Sequence, residues 1–352
     1  MASRMYRLIL FLLLIWTDCK AQKPIINSDI NYWNDTLSMQ NAVAENTITY
    51  IIKVIQKHKP LITNNSNRAI AFALYDQLMN NPNAAQLTAV QQFYEVQMKS
   101  VLKRLDIKPP KSEIFIYKLY NHGFIVKSDK ITLAFDFVRG SSVGVRNFAM
   151  SDSLTKAIIE KIDVFFVSHL HPDHADDWVA EEAIKQHKKV VAPDSVWIEK
   201  PFYNKVYHPK RSITNIYRLA LSNNNALVFS ALPGHQTNTK TKYSVTNNMY
   251  VVTVAGKTIA HTGDQYDTSD FNWIDSLNFS QKIDVLFPNC WSLELSRLIT
   301  GFKPILVIPG HENELSHTID HREPYFLNEV RAKQWFKNYM PLLMGELFVY
   351  RK

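Results

Sequence analysis

The apolar run Asp163–Val167, DVFFV, ends directly in Ser168–His174, SHLHPDH, which crowds three histidines and an aspartate into six positions. No other feature restricts the fold as much, because a strand that delivers so many ligands to one loop must end at a polar centre. Histidines two apart at a strand end can turn toward one point, and the irregular turn forced around Pro172 carries Asp173 and His174 toward a neighbouring one. A neutral imidazole nitrogen and a hard carboxylate oxygen suit Zn2+ or a related first-row divalent ion.

Three later segments repeat the design, each an apolar strand followed by a polar ligand. ALVFSALPGHQ supplies His235, KTIAHTGD supplies Asp264 and PILVIPGHE supplies His311. Ligands placed at strand ends gather on one edge of a sheet. Gly234, Gly263 and Gly310 adjoin these ligands, where a missing side chain lets backbone approach a crowded centre.

The rest of the chain has two textures. From about Pro24 to Pro110 glycine is absent and apolar residues recur at three and four, as in AVAENTITYIIKVIQ, AIAFALYDQLM and Ala89–Leu105, which reads as helices. After Pro110 short β-branched or aromatic runs such as EIFIYKLY, GFIVKS and ITLAFDF alternate with turn signals, and further on with helical segments at Trp178–Gln186 and Pro324–Asn338. A meander followed by β-then-α units fits two sheets sandwiched by helices better than one doubly wound sheet. The expected division is residues 1–21 as a leader, 22–111 as a helical region and 112–352 as the ligand-bearing α/β domain.

The ordered set HxHxDH, then His, then Asp, then His resembles the metallo-β-lactamase superfamily over about Ser112–Lys352. The resemblance implies an αββα sandwich and a metal-dependent hydrolase with two divalent ions, Zn2+ first with Mn2+ or Fe2+ as alternatives. It places His169, His171 and His235 on one ion, Asp173, His174 and His311 on the other, and Asp264 between them. Asp136, near the end of ITLAFDF, looks like the acid of the family's first motif, which orients a ligand. Two such ions about 3.5–4 Å apart would make a metal-bound hydroxide the nucleophile, with Asp173 orienting it. His122 in NHGFIV is similar to a histidine in relatives of ascorbate-phosphate lactonase and N-acylphosphatidylethanolamine phospholipase D, so this lactonase and phosphodiesterase branch is the expected neighbourhood. Because true metallo-β-lactamases generally carry another residue where Asp264 stands, an ester, lactone or phosphodiester is favoured over a β-lactam amide. A non-catalytic metal-binding accessory protein and a di-iron redox centre are the rival classes.

His317, His321 and Arg322 fall in the loop that begins at the last ligand, and with His122 they are the candidate substrate-binding residues. A turn histidine at 122 and internal salt bridges for Arg322, to Asp320 or Glu323, are the bland alternatives.

Composition narrows compartment and partners. With 46% hydrophobic and 12% aromatic residues the chain can bury a large core. Arg4 and Arg7 precede an apolar run from Leu8 to Trp16 that is too short for a membrane span, so cleavage after Ala21 and export to a periplasmic or extracellular space are expected. A lipid on Cys19 is a disfavoured alternative. Removing Arg4, Arg7, Lys20 and Asp18 with the leader lowers the formal charge from +8 to +6. That excess could favour an anionic small molecule, but no run of Lys and Arg resembles a nucleic-acid stripe. An oligomer is compatible with all of this.

Overall fold

A computed structural model of the chain describes residues 32–63, 65–140, 149–221, 226–238, 243–279, 282–292 and 294–351. The expected leader lies outside them. The chain divides into residues 1–40 and Asn41–Lys352, and apart from the start of the first helix the fold and site described below belong to the second unit. Most of the expected helical region therefore shares a unit with the α/β domain.

Three helices come first: α1 (Tyr32–Lys57), α2 (Ser66–Met79) and α3 (Thr88–Leu105). Asn65 starts α2 by accepting hydrogen bonds from the amides of Asn67 and Arg68, so the Asn cluster works as a helix cap. The strands then begin. β1 (Glu113–Lys118), β2 (Phe124–Lys127) and β3 (Thr132–Phe135) form an antiparallel meander, followed by α4 (Asp152–Glu160), β4 (Val164–Phe166), α5 (Asp177–Lys185) and β5 (Lys189–Val191). β6 (Tyr217–Ala220), the long pair β7 (Ala226–Asn238) and β8 (Tyr243–Val254), and β9 (Lys257–His261) form a second antiparallel run. After α6 (Phe271–Ile274), β10 (Val285–Phe287), α7 (Leu295–Phe302), β11 (Leu306–Val307) and α8 (Tyr325–Ala332), the chain closes with β12 (Leu347–Arg351).

The strands make two six-stranded sheets, ordered β12-β1-β2-β3-β4-β5 and β11-β10-β9-β8-β7-β6. In each, the meander turns parallel where crossover connections enter, at β3-β4-β5 and at β9-β10-β11. Alternation along the strands fixes the layers. Ile114, Ile116, Leu133, Phe135, Val164 and Phe166 meet Phe229, Tyr250, Ile259, Val285 and Phe287 between the sheets. The intervening Phe115, Tyr117, Ile125, Ala134 and Phe165 pack outward under the helices of the first half of the chain. On the other flank Met249, Ala260, Leu286 and Val307 pack under α6 and α7. Strands buried on both faces read as continuous apolar runs, which is how they look in the sequence. The architecture is an αββα sandwich with a helical N-terminal region.

Among the described residues no helix is long and apolar enough to cross a membrane, and Cys290 is buried and free.

Candidate metal centre

The ligand-bearing segments all leave the same end of the sandwich. Beyond β4, the loop Ser168–His174 is stitched to the opposite sheet, since Tyr250 Oη donates to Val167 O at 2.9 Å and Asn248 N to Ser168 O at 2.8 Å. His235 lies within β7, Asp264 lies three residues past β9, and His311 follows β11 with a positive φ of 74°. Close approach has a visible cause. A Cβ on Gly263, itself at φ +53°, would lie 2.0 Å from Asn247 Oδ1, and one on Gly310 would lie 2.2 Å from the His122 ring.

Four atoms converge. His174 Nε2 is 3.3 Å from Asp173 Oδ2 and 3.2 Å from Asp264 Oδ2, while His311 Nε2 is 3.3 Å from each of the same two oxygens. Bonds of about 2.0–2.2 Å around a tetrahedral Zn2+ place ligand atoms roughly 3.3–3.6 Å apart, so the quartet has the spacing of a coordination shell. Both Nε2 atoms are buried without a hydrogen-bond partner, an arrangement a cation resolves. On the adjoining side His169 Nε2 lies 3.1 Å from His171 Nδ1 and 3.8 Å from Asp264 Oδ2, and these three residues form a second cluster able to hold an ion. Asp264 Oδ2 borders both clusters. The residues present fit the binding of a divalent metal.

Carboxylates aim the histidines. Asp136, at φ +43°, accepts from Ser168 N at 2.7 Å and Ser168 Oγ at 2.6 Å, and its Oδ2 sits 2.7 Å from His174 Nδ1. His235 joins neither cluster among the described residues. Its Nδ1 is held 3.1 Å from Asp270 Oδ1 and the side chain is 32% exposed. Asp270 was invisible from spacing alone.

The electrostatics follow from burial and the three carboxylates. Burial pushes the His311 imidazole down, but Asp264 and Asp173 outweigh it and raise it to about 10. His174 is likewise raised, against burial, by Asp264, Asp173 and Asp136. His169 is pushed down to about 3, by burial first and by His174 second. Burial opposes ionisation of Asp173 and Asp264, yet His174 and His311 hold both well below the usual carboxylate range. Buried anions around open nitrogens make a site that demands positive charge.

The candidate substrate residues separate. His317 stacks on His311 with ring centroids 5.4 Å apart, at the half-buried rim. Trp291 meets His311 edge-on at 5.4 Å with Tyr266 behind it at 5.2 Å, an aromatic wall the sequence did not announce. His122 is fully buried beneath the centre, its Nδ1 3.7 Å from Asp264 Oδ1. His321 is exposed beside Asp320 at 3.5 Å. Arg322 donates to the carbonyls of His317, Met79, Asn81 and Leu315, so its guanidinium fastens the loop to the end of α2.

The family described as the beta-lactamase superfamily domain matches residues 115–311, from β1 to the last ligand and more than half of the chain. The chain belongs to this superfamily. By that membership and its His/Asp clusters it is a metal-dependent hydrolase. It resembles an isothiocyanate hydrolase from Delia radicum gut bacteria at a TM-score of 0.50 and 11% identity, over 67% of this chain and 99% of that one. It is also similar to Igni18, a metallo hydrolase from Ignicoccus hospitalis, at a TM-score of 0.48 and 14% identity, over 68% and 99% of the two chains. The metallo-beta-lactamase fold protein YhfI from Bacillus subtilis aligns at 0.43 and 16%, over 68% and 100%. At 11% identity the likeness to the isothiocyanate hydrolase is one of fold. No protein of curated function matches the chain in sequence.

Proposed function

We propose that this superfamily member is an exported binuclear hydrolase acting on an ester, lactone or phosphodiester of a small molecule, in the lactonase and phosphodiesterase neighbourhood. The observation that carries the binuclear reading is Asp264 Oδ2, 3.2 Å from His174 Nε2, 3.3 Å from His311 Nε2 and 3.8 Å from His169 Nε2. One carboxylate oxygen borders both groups of nitrogens, as a shared ligand must.

Asp173, His174 and His311 would hold one ion, His169, His171 and His235 the other, with Asp264 common to both. When bound, the ions, Zn2+ in the first instance, would supply Lewis acidity and lower the pKa of a water at the site. The chain's own groups do the rest. Asp136 and Asp270 keep the Nδ1 protons of His174 and His235, leaving each Nε2 as the donor atom. Asp173 presents Oδ2 to the histidines and is placed to orient the attacking water and accept its proton. His317, at the rim, is placed to hydrogen-bond a substrate or leaving-group oxygen. Trp291 and Tyr266 exclude water from one side and favour a substrate with an apolar portion. Export rests on the sequence of residues 1–21 and would show as a mature chain starting after Ala21.

Metal analysis with hydrolysis of bis-p-nitrophenyl phosphate, lactones and nitrocefin tests the reading. Two ions per chain and turnover of an ester, lactone or phosphodiester are expected. Asp264→Ala should keep its circular dichroism spectrum while losing most activity and at least one ion. Full activity in that variant, or a metal-loaded chain inert to every substrate, contradicts it.

A further inference from the structure

We infer that Asn121, in the turn between β1 and β2, is a positioning residue that fixes the Asp173 carboxylate and the His311 backbone together, and so sets the affinity of the ion site those two share. The inference rests on the binuclear reading. Asn121 Nδ2 donates to Asp173 Oδ2 at 2.9 Å and to Asp173 O at 3.3 Å. That Oδ2 is the same oxygen that stands 3.3 Å from the Nε2 atoms of His174 and His311. The Asn121 carbonyl accepts from His311 N at 3.2 Å. One residue thus grips two ligands that are far apart in sequence.

The turn is closed by its own hydrogen bonds. Gly123 N donates to Tyr120 O at 3.0 Å and Leu119 N to Gly123 O at 2.9 Å, closing the loop tightly. Asn121 sits at φ +52°, a left-handed conformation that asparagine tolerates better than most residues. Buried Lys118 donates from Nζ to the Asn121 carbonyl, lies 4.6 Å from the Phe124 ring centre and 3.7 Å from Glu312 Oε2. On the far side His261 Nε2 lies 3.0 Å from His122 O. The amide is thereby delivered to Asp173 by a backbone held at the Tyr120, Asn121, His122 and Gly123 carbonyls. A neutral donor is also the chemistry the place requires. Asp173 and Asp264 already crowd two carboxylates into the quartet, and a third anion at 121 would repel both while leaving Asp173 without its donor.

Two variants separate positioning from folding. Asn121→Gly keeps the positive φ and removes the amide, whereas Asn121→Asp keeps the shape and turns the donor into an acceptor. Ion affinities are measured on the complete chain by competition with a chromophoric chelator, together with thermal melting of the metal-free protein and with kcat and KM. Outer-shell contacts of this kind typically change metal affinity about 10–100-fold. We expect one of the two ions to weaken by that factor in Asn121→Gly and by more in Asn121→Asp, with the other ion's affinity held, kcat falling more than KM rises, and metal-free melting of Asn121→Gly near that of the parent. Wild-type affinity for both ions in both variants overturns the inference while leaving the binuclear reading intact. Equal weakening of both ions accompanied by a collapsed metal-free melt overturns it too, since the role would then lie in the fold at large. A parent chain that takes up fewer than two ions removes the binuclear reading first, and the inference with it.

Discussion

His174 and His235 are each held at Nδ1 by a carboxylate, Asp136 at 2.7 Å and Asp270 at 3.1 Å, so each ring has one nitrogen left to offer. The carboxylates select the tautomer and stop the ring from rotating. Asp270→Ala should therefore loosen His235 and weaken one ion by about 10–100-fold, read by chelator competition. An unchanged affinity would mean that His235 needs no such support. The two carboxylates differ in how they can be found. Asp136 stands near a strand end in a recognisable first motif, whereas Asp270 reaches back 35 residues to His235 from a short 3-10 turn, Thr268–Asp270. Asn121 is likewise separated by 52 residues from Asp173, and only the folded sheets bring them together. The candidate ligands were legible because four are neighbours in sequence and the other three each follow an apolar strand; their supports are neighbours only in space. Arg322 shows the converse. Its charge and its loop suggest an anion, yet the structure gives its donors four carbonyl partners, a pattern no local signal encodes.

At the scale of elements, α2 grips the loop that carries the last ligand. Asp76, on α2, accepts from Tyr325 N and Phe326 N at 2.8 and 2.9 Å, capping α8, and from Asn313 Nδ2 at 2.6 Å. Burial raises the Asp76 carboxyl, opposed by the bonds from Phe326, Asn313 and Tyr325. Arg68, also on α2, meets Glu346 at the foot of β12 through two bonds of 2.7 Å, with both side chains buried. Removing one partner of a buried pair strands the other's charge, at a cost of about 3–5 kcal/mol. Arg68→Ala should lose roughly that in urea unfolding, and the paired replacement Arg68→Met with Glu346→Leu should recover most of it. A single-variant loss below about 1 kcal/mol contradicts a structural role for the pair. The three helices were legible from their periodicity and lack of glycine. β6 and β12 were not, because short strands with half-exposed faces carry a weak period-two signal. The helix expected over Pro324–Asn338 is shorter, Tyr325–Ala332, and the chain beyond Trp335 turns away to bring Tyr339 alongside Val307.

Across the whole molecule, the candidate metal ligands sit where both sheets end. His169, His171, Asp173 and His174 come from the loop after β4 of one sheet, and His235, Asp264 and His311 from β7, β9 and β11 of the other. Metal bound at that seam would neutralise buried carboxylates and tie the two sheets together, which would link folding to metal binding. The sandwich itself followed from the change of period after Pro110 and from ligands at strand ends, whereas the outward packing of residues 41–105 on the first sheet depends on long-range contacts. The central claim, two ions sharing Asp264, is tested most directly by anomalous diffraction from crystals of the complete chain supplied with two equivalents of Zn2+, recorded on both sides of the zinc edge. Two peaks about 3.5–4 Å apart are predicted, one among Asp173, His174 and His311 and one among His169, His171 and His235, with Asp264 between them. A single peak, or peaks away from these residues, would contradict it.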